Sequence, residues 1–307
     1  MPKHVAVLMG GWSAEREVSL RSGEACADAL ERLGQYRVSR LDVTRDIAAK
    51  LAQLKPDVAL NVLHGRPGED GTLQGLLEIA GIPYSHSGVL ASALAMQKDM
   101  AKSILRAGGV PVPGGLVVPR RKAAEHHLLP PPYVIKPLAE GSSVGVFIVR
   151  EDHAHPPQEL TRADWAFGET VLVEPYIAGK ELTCAVMGDR ALGVIEIVAA
   201  TKFYDYEAKY APGGSRHLLP APIASDVYEA CQKLSLAAHR ALSCRGVTRT
   251  DFRYDDSKPG LAGLFCLEVN TQPGMTSTSL VPEMAAHAGI SFEELVRWMV
   301  EDASLDR

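Results

Sequence analysis

The 307-residue chain lacks the marks of several large protein classes. No apolar run approaches the ~20 residues of a bilayer crossing, so a membrane protein is not expected. Its 32 basic and 37 acidic residues are mixed along the chain, with a net charge of -5. No basic block is present to follow a nucleic-acid backbone or an anionic membrane, and neither is expected as a partner. The five cysteines, Cys26, Cys184, Cys231, Cys244 and Cys266, are odd in number and contain no C-x-x-C. Reduced, structural thiols in a cytoplasmic protein are the economical reading. Met1–Val5 enters a strand directly, without the pattern of a signal peptide. The common phosphate-binding signatures are missing too. Gly10-Gly11 follows the first strand, but the G-x-G-x-x-G spacing is absent, and Trp12 fills a position that would need close backbone approach. There is no G-x-x-x-x-G-K-[ST]. Any nucleotide must be held by another scheme. No internal repeat or low-complexity segment is found.

What is present suffices for a sizeable core: 46% of residues are hydrophobic, and the length suggests two or three domains. Val5–Met9 reads as a strand, followed by a helix with Ser13 as N-cap and Glu15 and Glu17 in its first turn. Strand 36–43, helix 47–54, strand 57–63, helix 73–79 and strand 82–85 complete an alternating run. That order predicts an α/β, doubly wound parallel sheet over about residues 1–95, with ligands beyond the carboxyl ends of its strands. The loops there are Gly10–Glu15 and His64–Gly71. A helix over 98–107 leads into a piece of antiparallel character, with strands at 133–137, 146–149 and 171–176. Two more strands follow Lys180, then a polar aromatic loop at Phe203–Tyr210, a helix near 226–244, a hairpin, and an amphipathic helix at 292–300.

The hairpin carries the chemistry. Arg249-Thr-Asp-Phe-Arg253 and Phe265–Asn270 each alternate polar with apolar residues, the period of a half-buried strand, across a turn at Asp256–Gly260. Pairing Asp251 with Glu268 puts Arg249 opposite Asn270. One face then holds Asp251, Glu268, Asn270 and Arg249, with Cys266 expected on that face and Phe265, Leu267 and Val269 behind. Such a face suits divalent cations and polyphosphate, since hard cations take oxygen ligands from a few carboxylates and complete their shell with phosphate oxygens. The bland alternative is a solvated hairpin face.

Gly141-Ser142-Ser143-Val144-Gly145 matches the G-x-S-x-G elbow of serine hydrolases, but an elbow needs a helix after it and here a strand is expected. A glycine-flanked Ser-Ser loop suits phosphates bound through backbone N–H groups, with Lys136 on the strand that enters it. Phe203–Tyr210 reads either as an ordered surface loop or as a lid in which Lys209 and Tyr210 exclude water. The histidines of loop 153–157 have no further ligand nearby to make a metal site. Glu15 could be only a first-turn charge, and His64 only a strand-end hydrogen-bonder.

Taken in order over nearly the whole length, these motifs resemble the D-alanine–D-alanine ligases of the ATP-grasp superfamily. The resemblance rests on Met9–Glu15 with Glu17-Val18-Ser19, His64-Gly65 with Gly68–Gly71, Lys136-Pro137, Glu140–Gly145, Phe203–Tyr210, Arg249–Asp251 and Glu268–Thr276. Gln272 and Thr278 stand where relatives often carry Ser and His. The resemblance implies three domains, at 1–95, 96–179 and 180–307, the last two an ATP-grasp pair of mixed and antiparallel α+β units with ATP between them. Lys98, Lys136, Ser142, Ser143 and Lys209 would meet the phosphates. Glu174, Tyr176 and Ile177 would form the hinge facing adenine, Phe203 would belong to the ATP site, and Glu181 would bind ribose. Asp251, Glu268 and Asn270 would hold two Mg2+ (or Mn2+). Glu15 and His64 would receive the first D-alanine, Arg249 and Gly274 the developing oxyanion, and Ser279 and Leu280 the second D-alanine. Ser142 and Tyr210 would lock the lid through Glu15. A cytoplasmic homodimer supplying peptidoglycan synthesis is implied. The alternatives are a ligase with another acceptor such as D-lactate, a non-catalytic nucleotide-binding homologue, and a serine hydrolase.

Overall fold

The computed structural model describes residues 1–141, 144–199 and 214–306. The N-terminal unit is built from β1 (Lys3–Gly10), α1 (Arg16–Leu33), β2 (Tyr36–Val43), α2 (Ile47–Leu54), β3 (Val58–Asn61) and α3 (Thr72–Ala80). Its three strands are parallel in the order β2-β1-β3. β1 is buried from His4 onward, as a central strand covered on both faces must be. Two sequence expectations change. The strand expected at 82–85 is only a bridge, Tyr84 pairing with Ala59 and Ser304. Ser13 does not cap α1, because the helix starts later, at Arg16; its hydroxyl accepts from the Glu15 N–H at 3.2 Å and donates to the His64 carbonyl at 2.6 Å, tying the two ligand-side loops together. Glu15 occupies the cap position instead.

Helices α4 (Val89–Met96) and α5 (Lys98–Ala107) lead to a four-stranded sheet ordered β4-β7-β5-β6, from β4 (Leu116–Pro119), β5 (Tyr133–Pro137), β6 (Phe147–Val149) and β7 (Thr170–Pro175), with α6 (Arg120–Glu125) beside it. The final unit is a five-stranded antiparallel sheet ordered β10-β9-β8-β11-β12: β8 (Lys180–Met187), β9 (Arg190–Ala199), β10 (Ser215–Leu218), β11 (Val247–Tyr254) and β12 (Leu264–Asn270). It carries α7 (Ser225–Ala241), α8 (Leu280–His287) and α9 (Phe292–Glu301). α9 opens with a reciprocal capping box between Ser291 and Glu294, which satisfies two otherwise orphaned backbone donors.

One apolar core joins β1 and α1 to β9, α8 and α9, so the N-terminal sheet and the last sheet are cemented together. Ala91 and Ala95 of α4 belong to the core on the other face of the last sheet, with Phe252 and Cys266. Among the described residues no helix is long and apolar enough to cross a membrane.

Candidate active site

The hairpin register is the one read from the sequence: Arg249 opposes Asn270 and Asp251 opposes Glu268. One detail differs. A bulge follows, so Phe252 pairs with Cys266 and Leu267 is the extra residue. An added residue reverses the alternation beyond it. Cys266 is therefore buried in the core rather than sharing the face of Glu268, and Leu267 turns into the cleft.

Around this face the side chains are held in place. Arg249 grips Asp251 through two contacts, Nε to Oδ1 at 2.8 Å and Nη2 to Oδ2 at 2.7 Å. Thr183, opposite Asp251 on β8, donates to Oδ1 at 2.6 Å, and Asn270 Nδ2 donates to Oδ2 at 3.0 Å. Lys98, the first residue of α5, sits 3.2 Å from Glu268 and donates to the Glu140 carbonyl at 2.6 Å. Among the described residues no three His, Cys, Asp or Glu side chains converge. The donor set is two opposed carboxylates and one amide, whose donation through nitrogen leaves its oxygen for another partner. These hard oxygen donors fit magnesium or manganese, and so few of them leave most of the coordination shell for phosphate and water.

Two cavities meet at this face. The first, about 890 Å³, opens between the four-stranded and five-stranded sheets. Val134, Val144, Val146, Tyr176, Ile177 and Leu267 give it apolar walls, and Lys98, Lys136, Glu174, Glu181, Asp251 and Glu268 its charges. The second, about 1990 Å³, lies toward the N-terminal unit and is lined by Glu15, His64, Arg249, Asn270, Gly274, Ser279 and Leu280 among others. Glu181, Asp251 and Glu268 line both. Every described site residue of the sequence reading thus borders one cavity or the other. Ser142, Ser143, Phe203, Lys209 and Tyr210 lie outside the described residues. The strand β6 follows the Gly141–Gly145 loop, which is the order that a nucleophile elbow does not have.

The connection between the sheets is laced by Arg253. Its Nε donates to the Ile177 carbonyl at 3.0 Å and its Nη2 to the Gly179 carbonyl at 2.9 Å, and the guanidinium faces the Tyr176 ring and Glu181. Gly179 has φ +83°, and a Cβ there would stand 2.2 Å from the Tyr254 carbonyl, so the crossing admits only glycine.

In the second cavity, His64 is buried with both ring nitrogens engaged: Nδ1 donates to the Gln272 carbonyl at 3.0 Å and Nε2 faces the Ser22 hydroxyl at 3.2 Å. Burial holds its pKa below the usual value, so it remains neutral and fastens the N-terminal loop to the segment after β12. Glu69 accepts from the Gly65 N–H at 2.7 Å. Burial, reinforced by the nearby Glu15 charge, pushes its pKa up to about 8. Sequence reasoning assigned no role to Arg253, Lys102 or Thr183. Lys102 follows Lys98 by one helical turn, and Thr183 is visible only once β8 is paired with β11.

A cleft between two antiparallel α+β sheets, with lysines and paired carboxylates at its inner end, is the architecture of an ATP-grasp ligase. The family profile described as D-ala D-ala ligase N-terminus matches residues 44–87, and that described as D-ala D-ala ligase C-terminus matches 118–301. The chain is 70% identical over 307 residues, the whole of both chains, to the D-alanine–D-alanine ligase of Azorhizobium caulinodans, and equally to that of Xanthobacter autotrophicus. The D-alanine–D-alanine ligase of Bacillus anthracis, solved in complex with ATP, superposes with a TM-score of 0.80 at 31% identity, covering 98% of this chain and 97% of that one. The VanG D-Ala:D-Ser ligase of Enterococcus faecalis superposes with a TM-score of 0.80 at 31% identity, over 98% and 99%. The chain belongs to the D-alanine–D-alanine ligase family.

Proposed function

We propose that the protein joins two D-alanine molecules at the expense of ATP, giving D-alanyl-D-alanine, ADP and phosphate for peptidoglycan synthesis. The observation that carries this reading is the wall common to the two cavities. A nucleotide in the first and an amino acid in the second would meet at Glu181, Asp251 and Glu268.

In the first cleft, Lys98 and Lys136 would meet the polyphosphate, Tyr176 and Ile177 the adenine, and Glu181 the ribose. Bound at Asp251, Glu268 and Asn270, magnesium would offset the negative charge of the polyphosphate. In the second, the Glu15 carboxylate would take the ammonium of the first D-alanine and aim its carboxylate at the γ-phosphorus. That oxygen forms the new bond to phosphorus while the bond to the ADP oxygen breaks, giving D-alanyl phosphate. The amine of the second D-alanine, whose carboxylate Ser279 and the start of α8 would hold, then attacks the carbonyl, loses a proton and expels phosphate. Arg249 and the Gly274 N–H would receive the oxyanion, a role usually worth about 3 kcal/mol per donor. Arg249 already bridges toward Asp251, so one guanidinium would link the oxyanion site to the metal face. Most of the acceleration would come from positioning two anions that otherwise repel.

The division into units at 1–95, 96–179 and 180–307 and a homodimer complete the reading. Ile79 of α3 and Leu90 of α4, 89% and 61% exposed on contacting helices, support an apolar surface for a second copy. Hydroxylamine added during turnover tests the chemistry. D-Alanyl hydroxamate formed only with ATP and D-alanine is the expected trap product. Its absence during active turnover would overturn the acyl-phosphate route.

A further inference from the structure

At the back of the nucleotide cleft lies a charge arrangement of which the reaction above uses only Lys136. Glu174 on β7 is 2% exposed and is paired with two lysines. Lys136 of β5 reaches it from the cleft side. Lys102 of α5, 4% exposed and absent from the cleft wall, reaches Oε2 from behind at 2.7 Å, as an ion pair out of hydrogen-bonding alignment. The Cys266 thiol nearby adds no compensating charge, since burial pushes it up to about 12. Two largely buried ammonium groups thus face one buried carboxylate. A single lysine would satisfy that carboxylate.

We propose that Lys102 is a positioning residue for the nucleotide: it holds the charge of Glu174, so that Lys136 can leave Glu174 for the polyphosphate. The inference rests on the first cleft being the nucleotide site. The physical reason is the asymmetry of buried ion pairs. Removing the partner of a buried carboxylate costs far more than the pair itself contributes. With Lys102 in place, Glu174 stays paired after Lys136 swings away, and the surplus positive charge finds its anion in the polyphosphate. Without Lys102, Lys136 is the sole counter-ion of Glu174 among the described residues and is retained there. The surplus shows in the groups themselves. Burial, with the Lys136 charge adding to it, brings Lys102 down to about 8. Burial pushes Glu174 up, yet the two lysines outweigh it and hold its carboxyl below the ordinary range.

Calorimetric ATP binding and steady-state kinetics on the full-length wild type, Lys102→Met, Lys102→Gln and Lys102→Arg test this. Both neutral variants are expected to bind ATP about tenfold more weakly, equivalent to roughly 1.4 kcal/mol, with KM for D-alanine unchanged. Lys102→Arg, which keeps the charge, should recover most of the affinity. Neutral variants that fold and bind ATP as the wild type does would overturn the proposal alone. Weakening of ATP and D-alanine together, without rescue by arginine, would reduce Lys102 to a structural residue and overturn it too. A wild type that binds no nucleotide would overturn the functional reading, and this inference with it. Lys102→Gln guards against a methionine variant that fails to fold.

Discussion

Glu69→Gln should make the protein more stable at neutral pH. The residue is 9% exposed, its Oε2 accepts from the Gly65 N–H at 2.7 Å, and the Glu15 charge lies close by. In the unfolded chain this carboxyl ionises near its ordinary 4.5, whereas the folded protein retains the proton until about 8. Between those values the native state binds more protons than the unfolded state, so stability falls as pH rises through the window and levels off above it. At about 1.4 kcal/mol for each pH unit, the window from 4.5 to about 8 sets an upper limit of roughly 5 kcal/mol. The open cavity beside Glu69 admits water and lowers this, so we expect a gain of about 2 kcal/mol at pH 8.5 over pH 5. Glutamine keeps an acceptor for the Gly65 N–H and removes the titration. Urea unfolding of wild type and variant at pH 5, 7 and 8.5 measures it. Curves that diverge with rising pH, the variant becoming the more stable, are predicted. Curves that stay parallel over the whole range would refute the reasoning.

Three further outcomes follow from the same geometry. Glu268→Ala should cut D-alanine-dependent phosphate release by at least about 100-fold with an unchanged circular dichroism spectrum, and a fully active variant would remove Glu268 from the metal face. Arg253→Ala frees the 176–179 crossing and should raise KM for ATP severalfold while leaving KM for D-alanine alone, which steady-state titration of each substrate would read. Gly179→Ala forces a side chain into a positive-φ position against the Tyr254 carbonyl and should cost roughly 2–4 kcal/mol in urea unfolding; a neutral substitution would mean that the crossing relaxes freely.

Much of the site was legible because β strands write their faces as a period of two. Alternation gave each strand its polar face; supposing Asp251 opposite Glu268 then set Arg249 opposite Asn270, and the strands do pair in that register. The same rule failed at Cys266, because a bulge adds one residue and leaves no trace in a two-residue period. The helix over 98–107 was readable, but the destination of Lys102 was not, since its partner Glu174 comes from a strand 72 positions later in number and from a different element. Ser13 looked like a cap by residue type, but α1 starts two residues beyond the position expected, and the hydroxyl serves the turn before it, accepting from the Glu15 N–H and donating to the His64 carbonyl. The strand expected at 82–85 shrank to a bridge at Tyr84, although its hydrophobicity was real: Tyr84 is fully buried.

Phosphate release from ATP and magnesium, compared with D-alanine, L-alanine and no amino acid, tests the central claim most directly when the product is identified by mass. Release that requires D-alanine, with one D-alanyl-D-alanine formed for each phosphate, is the predicted result. Release with D-alanine absent, or with D-alanine present but no dipeptide formed, would contradict it.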